Sequence, residues 1–205
     1  PALRAPPEYL RPKEAEGGML SYQHGYHAGN MADVHKHALL AWMLGYLTQK
    51  DKPLSYLETH AGRGLYQLDA PEALKTGEAA AGIGRARGLG WFAAEHPYAG
   101  ALAKVRAAHG AAAYPGSPLV AEAFLRAGDR MVLAELHPKE HAALAEVMGG
   151  RAQVLKEDGA KMALRQVPPD PKRGLMLIDP SYEIKGDYEA AAKLVRQVHG
   201  RWAVG

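Results

Sequence analysis

The apolar run Leu175-Met176-Leu177-Ile178 leads directly into Asp179-Pro180-Ser181-Tyr182. A strand buried on both faces would deliver those side chains to the sheet edge where ligands bind. The set suits chemistry on the exocyclic amine of an adenine, a poor nucleophile because its lone pair is delocalised into the ring. The Asp179 carboxylate and the Pro180 carbonyl are two acceptors for its two hydrogens, and together they would turn the lone pair toward an electrophilic methyl group. Proline restricts the backbone that aims its carbonyl, and Tyr182 offers a face on which an extruded base can stack. The alternative is an ordinary Asp-Pro turn ending a strand, with a core tyrosine behind it.

Further candidates follow other apolar runs. His60-Ala61-Gly62-Arg63-Gly64 comes after Leu54–Thr59, where a Gly-x-Gly lets a ligand approach the backbone or simply makes a turn. The third glycine of a dinucleotide fingerprint is missing, which argues against NAD. Glu135 ends Met131–Ala134, placed to accept two ribose hydroxyls or to open a helix. Asp158-Gly159 follows Val154-Leu155, placed to hold an adenine amino group or to cap a helix. Three such ends on one edge of a parallel sheet are more telling than any one alone. His24, His27, His35, His37 and His60 form a histidine-rich set, but His35 and His37 are two apart and diverge on a helix, so no compact metal motif results. Lys36 and His37, near a helix start, are placed to contact a ligand over the sheet edge.

These residues need a scaffold, and the composition allows one. The chain has 205 residues, of which 47% are hydrophobic and 23% charged, enough for a buried α/β core. It has no cysteine, which removes disulfide, zinc-ribbon and thiol-nucleophile readings and suits a reducing cytoplasm. No apolar run is long enough for a membrane span. The net charge of +3 permits a nucleic-acid partner without requiring one.

Residues 1–18, rich in proline, read as a loosely docked or unstructured extension. Asn30 caps a helix reaching about Lys50, with Val34, Ala38, Ala41, Trp42 and Gly45 on one stripe and Asp33 in its first turn. Ser117-Pro118 opens a helix ended by Gly128; Pro138–Met148 closes at Gly149; a last helix runs from an Asp187 cap through Tyr188, Ala191, Ala192 and Val195 to Gly200. Helices alternating with four buried strands predict a doubly wound α/β fold. Residues 66–114 read as an insertion of two or three short helices, dividing a main domain of 19–65 and 115–205. Arg201–Gly205 reads as the start of another strand, so a C-terminal part of the natural protein is expected beyond it.

Several blocks carry a family likeness: Met19-Leu20-Ser21-Tyr22, His27-Ala28-Gly29-Asn30, Ala32-Asp33-Val34, Lys36-His37, Thr59-His60-Ala61-Gly62, Tyr114-Pro115-Gly116-Ser117-Pro118, Glu135-Leu136-His137-Pro138, and Asp179-Pro180 with Tyr182-Glu183. In this order they resemble the RlmJ family, S-adenosylmethionine-dependent adenine-N6 methyltransferases of 23S ribosomal RNA, formerly described as involved in catabolism of external DNA. The resemblance implies a Rossmann-like methyltransferase fold with a small helical insertion and a monomeric, metal-free enzyme. It implies that Lys36, His37, His60, Gly62, Ser117, Glu135, Asp158 and Gly159 contact S-adenosylmethionine, that Asp179 with Pro180 and Tyr182 is catalytic, and that Tyr22 lies at the RNA-facing mouth. The family's usual Asp-Pro-Pro-Tyr reads Asp-Pro-Ser-Tyr here, Glu58 stands at an aspartate position, and Arg63 at a small-residue position. Two rival readings are a metal-dependent nuclease or hydrolase using the histidines with Asp33 or Glu58, and a catalytically inactive RNA-binding homologue.

Overall fold

The computed structural model describes residues 23–205, so Tyr22 and the 1–18 extension lie outside the described residues. After a 3-10 turn at His24–Tyr26 come α1 (Met31–Leu47), β1 (Ser55–Glu58) and β2 (Leu65–Gln67). There follow α2 (Pro71–Thr76), a π-helical turn (Ala80–Gly84), α3 (Arg85–Gly88), α4 (Pro97–His109), β3 (Ala113–Pro115) and α5 (Ser117–Glu122). The remainder alternates β4 (Arg130–Ala134), α6 (Pro138–Met148), β5 (Gln153–Leu155), α7 (Gly159–Gln166), β6 (Gly174–Leu177) and α8 (Gly186–Arg201).

Four strands form one parallel sheet in the order β5-β4-β1-β6. The chain moves outward from β1 to β4 and β5, then returns to β6 on the other side of β1. That reversal opens a crevice at the carboxyl ends of β1 and β6, where doubly wound sheets bind ligands. One core layer packs α1, α4, α5 and α6 against the sheet through residues such as Leu44, Leu119, Leu133 and Leu144; the opposite layer joins Leu57, Val132, Met162, Leu194 and Trp202. The doubly wound expectation holds, with strand limits within a residue or two of those read from sequence.

Local differences have physical causes. Asn30 caps α1 as expected, its side chain accepting the Asp33 N–H at 2.9 Å, but Trp42 is 58% exposed and the buried face runs through Val34, His37, Leu40, Ala41 and Leu44. In α8, Tyr188 and Val195 face out while Leu194 and Val198 are buried, and the helix starts one residue before Asp187 with Lys185 at its cap. Ser117 is the first residue of α5 rather than its cap; Gly116 takes that place and the helix ends at Glu122. Residues 66–114 hold α2, the π-helical turn, α3 and the 13-residue α4, and the flanking β2 and β3 pair antiparallel, with Tyr66 opposite Tyr114. Residues 201–205 finish α8 and turn, and are not a strand; the buried Trp202 indole N–H donates to the Lys172 carbonyl.

Candidate active site

Parallel register explains how distant residues meet. Glu58, the last residue of β1, pairs with Leu133 of β4 and Leu177 of β6. Glu135 and Asp179 therefore both sit two residues past that level, at about 3.3 Å per residue. Asp158 lies three residues past Leu155, which pairs with Ala134. His60 stands among these tips: Glu135, Asp179, Asp158 and Asp187 all act on its charge. Loss of surrounding water nevertheless dominates and lowers its pKa, keeping the ring neutral and able both to donate and accept.

The loop after β1 is tied across the sheet. Ala61 N–H donates to the Ala134 carbonyl at 3.0 Å, and Gly62 N–H to Glu135 Oε2 at 2.8 Å. Gly62 has φ +62, a left-handed conformation costly for other residues, and a Cβ there would press on the Tyr66 hydroxyl. The other Glu135 oxygen accepts the His137 N–H at 2.7 Å. Asp158 caps α7, accepting the Lys161 N–H at 2.8 Å. A Cβ on Gly159 would overlap the Thr59 carbonyl, so only glycine lets α7 start against the end of β1. Asp158 thus caps α7, while Glu135 ties the β1 loop to the approach of α6, whose cap is His137, and each carboxylate keeps lone pairs for a ligand.

Asp179 meets α1. Lys36 Nζ donates to Asp179 Oδ2 at 2.7 Å and lies 3.1 Å from Asp33 Oδ1. Asp33 is 2% exposed, and its Oδ2 accepts from the Gly29 N–H at 2.9 Å and bonds His24 Nε2 at 2.8 Å. Burial raises the Asp33 carboxyl, but His37, His24 and Lys36 outweigh it and hold the group well below the usual carboxylate range. Burial likewise opposes the Lys36 charge, and Asp33 and Asp179 overcome it, lifting the lysine above its ordinary value. His37 is 1% exposed, and burial brings it down to about 3 against the pull of Asp33. Its Nδ1 bonds the Tyr114 hydroxyl at 3.1 Å, while its Nε2 is buried without a hydrogen-bond partner among the described residues.

Beneath this layer, Ser117 donates its hydroxyl to Glu58 and the Tyr56 hydroxyl donates to the other Glu58 oxygen at 2.8 Å. Burial pushes Glu58 up to about 7 against both hydrogen bonds. Ser117 is accordingly a buried support of the β1 end in this arrangement. Arg63 turns away from the crevice into a bidentate pair with Glu140, at 2.8 and 2.7 Å, which accommodates a large residue at a small-residue position. Tyr182 has φ +56, strained for an aromatic residue, and places its ring 4.7 Å from Tyr188. Sequence reading missed the Tyr188 partner and the Asp33 anchor; the latter had a usable signal in the i,i+3 spacing of Asp33 and Lys36.

Asp33 and Glu58, the acids of the rival metal reading, are both engaged by protein donors, and among the described residues no three His, Asp or Glu side chains converge as a metal site. Among the described residues no helix is long and apolar enough to cross a membrane.

A parallel sheet reversing at β1, a glycine loop after it, acidic strand ends and an Asp-Pro step after β6 define a Rossmann-like methyltransferase fold. Within that class the chain belongs to the family described as "Ribosomal RNA large subunit methyltransferase D, RlmJ", whose model matches residues 51–205. It is 42% identical over 190 residues to Ribosomal RNA large subunit methyltransferase J of Escherichia coli (strain K12), covering 91% of this chain and 68% of that relative. It is 39% identical over 197 residues to the protein of the same name from Haemophilus influenzae, with the same coverage. The crystal structure of protein LPL1258 from Legionella pneumophila str. Philadelphia 1 is similar with a TM-score of 0.77 and 36% identity, covering 86% of this chain. This chain spans 66% of that one, just under two thirds of its length.

Proposed function

We propose that the chain transfers a methyl group from S-adenosylmethionine to the N6 of an adenine in 23S ribosomal RNA. The observation that carries this is the placement of Asp179-Pro180 just past β6, with Asp179 hydrogen-bonded to Lys36 of α1 and level with Glu135. The donor set fits the cofactor: Glu135 and Asp158 have acceptors for ribose hydroxyls or the adenine amino group, the glycine loop admits close approach, and the buried His37 Nε2, 3.9 Å from Asp33 Oδ1, has no hydrogen-bond partner among the described residues. Lys36, His37, His60, Gly62, Glu135, Asp158 and Gly159 would hold it, with Ser117 stiffening the layer below. When bound, the cofactor supplies an activated methyl on a positively charged sulfur.

The protein's own work is orientation, which can account for much of the barrier in a reaction between two bound partners. Asp179 Oδ and the Pro180 carbonyl accept the two amine hydrogens of the target base, and Tyr182 stacks on its ring. Lys36 now occupies one Asp179 oxygen at 2.7 Å, marking the position where the carboxylate accepts a donor. It moves toward Asp33, 3.1 Å away, when the amine arrives. Proton loss from nitrogen follows methyl arrival, so Asp179 need not be a strong base.

S-adenosylmethionine and its demethylated product should raise the thermal midpoint of the chain, whereas divalent metal should leave it unchanged. Stabilisation by metal and none by either cofactor form would overturn the proposal in favour of the hydrolase.

A further inference from the structure

A cavity of ≈ 360 Å³ lies within residues 66–114. Its lining includes Leu68, Ala73 and Ile83, and two arginines, Arg87 and Arg106, complete it. The volume is at the low end of small-ligand sites. Neither guanidinium forms a hydrogen bond or ion pair with a described residue, and Arg106 Nε is buried without a partner. Burial and the neighbouring Arg87 both lower the Arg106 pKa, and no carboxylate is among the groups acting on it. Such a pair costs stability unless an anion joins it, and guanidinium groups are well matched to phosphate.

The cavity also touches the catalytic layer. Ile83 N–H donates to the Gly29 carbonyl at 2.8 Å, and the π-helical turn frees that N–H from its own helix. A side chain in place of Gly29 would enter space held by Ile83, Leu68 and Ala79, all three lining the cavity. Gly29 N–H in turn holds Asp33, which holds Lys36.

We propose that this cavity binds one unstacked nucleotide of the RNA substrate, with its base on the apolar lining and a backbone phosphate between Arg87 and Arg106. The proposal rests on the RNA methyltransferase reading and adds a second point of substrate contact to it. Binding of a ribosomal RNA fragment to the full chain, measured from 50 to 200 mM salt, tests it. The Arg87→Gln, Arg106→Gln double variant should lose about tenfold in affinity at low salt, and the slope of log K against log salt should shrink by about 1. Its thermal midpoint should hold or rise, because repulsion between the two arginines and an unpaired buried Arg106 Nε are removed. Ala80→Trp, which fills the cavity from an exposed position, should weaken binding with the slope intact. Wild-type affinity and slope in both variants would overturn the proposal. So would thermal stabilisation of the wild type by a free nucleoside monophosphate while RNA binding by the variants stays unchanged. A wild-type chain that bound no ribosomal RNA would instead bring down the functional reading itself.

Discussion

Lys36 stands between a buried carboxylate and a half-exposed one, 3.1 Å from Asp33 and 2.7 Å from Asp179. Removing one member of this group leaves the others with unbalanced charge. Asp179→Asn should lower single-turnover methyl transfer by at least about 100-fold while the cofactor dissociation constant changes about twofold, since the amide loses one acceptor but keeps its shape. Equal losses in both would assign Asp179 to cofactor binding alone. At the rim, Tyr182→Ala should weaken RNA binding by about 5- to 150-fold, the equivalent of about 1–3 kcal/mol of base stacking, and Tyr182→Phe should restore it. Titration with an RNA carrying a fluorescent adenine analogue at the target position measures both. The expectation for Asp179 came from residue types alone: a carboxylate, a proline and an aromatic ring after an apolar run suit amine chemistry. The Tyr182–Tyr188 pair was not readable in that way, since it depends on a left-handed backbone at Tyr182 and on which face of α8 turns outward.

At the scale of elements, the end of β1 concentrates the constraints. Gly159→Ala drives a methyl group into the Thr59 carbonyl and should destabilise the chain by about 1–3 kcal/mol, measured by urea denaturation. Glu58 makes stability depend on pH. Its folded pKa, about 7, exceeds the ordinary 4.5, so between those values the folded chain binds more protons than the unfolded one. Stability from this group is present at low pH and falls as pH rises through that window, by on the order of 3 kcal/mol. Glu58→Gln should flatten that part of the profile, seen by comparing denaturation midpoints at pH 5 and pH 8; an unchanged slope would mean Glu58 stays charged throughout. Strands and helix ends were legible where the signal is local: continuous apolar runs for the sheet, Asn30 and Gly149 at helix ends. Ser117 misled because its hydroxyl is taken by Glu58, 59 residues away in sequence, instead of capping its own helix. Trp42 misled because helical periodicity gives a stripe without saying which side the sheet lies on.

Across the whole molecule, the alternation of helices with buried strands was enough to place the acidic strand ends on one edge. It did not reveal that β2 and β3 clamp the insertion at its base, nor that Gly29, Ile83 and Glu78 strap the insertion to the start of α1. Those contacts join residues about 50 positions apart, including Asn30 with Glu78 at 3.2 Å and His27 with Glu78 at 2.9 Å. The consequence is one connected path of packed groups from the insertion through Gly29, Asp33 and Lys36 to Asp179. At the far end of that path lies the proposed orientation of an adenine amine for methylation. Its most direct measurement is transfer of a labelled methyl group by the full chain to 23S ribosomal RNA lacking the modification, followed by nucleoside analysis. The expected result is label in N6-methyladenosine, abolished by Asp179→Asn; label on another atom or nucleoside, or transfer that survives Asp179→Asn, would contradict it.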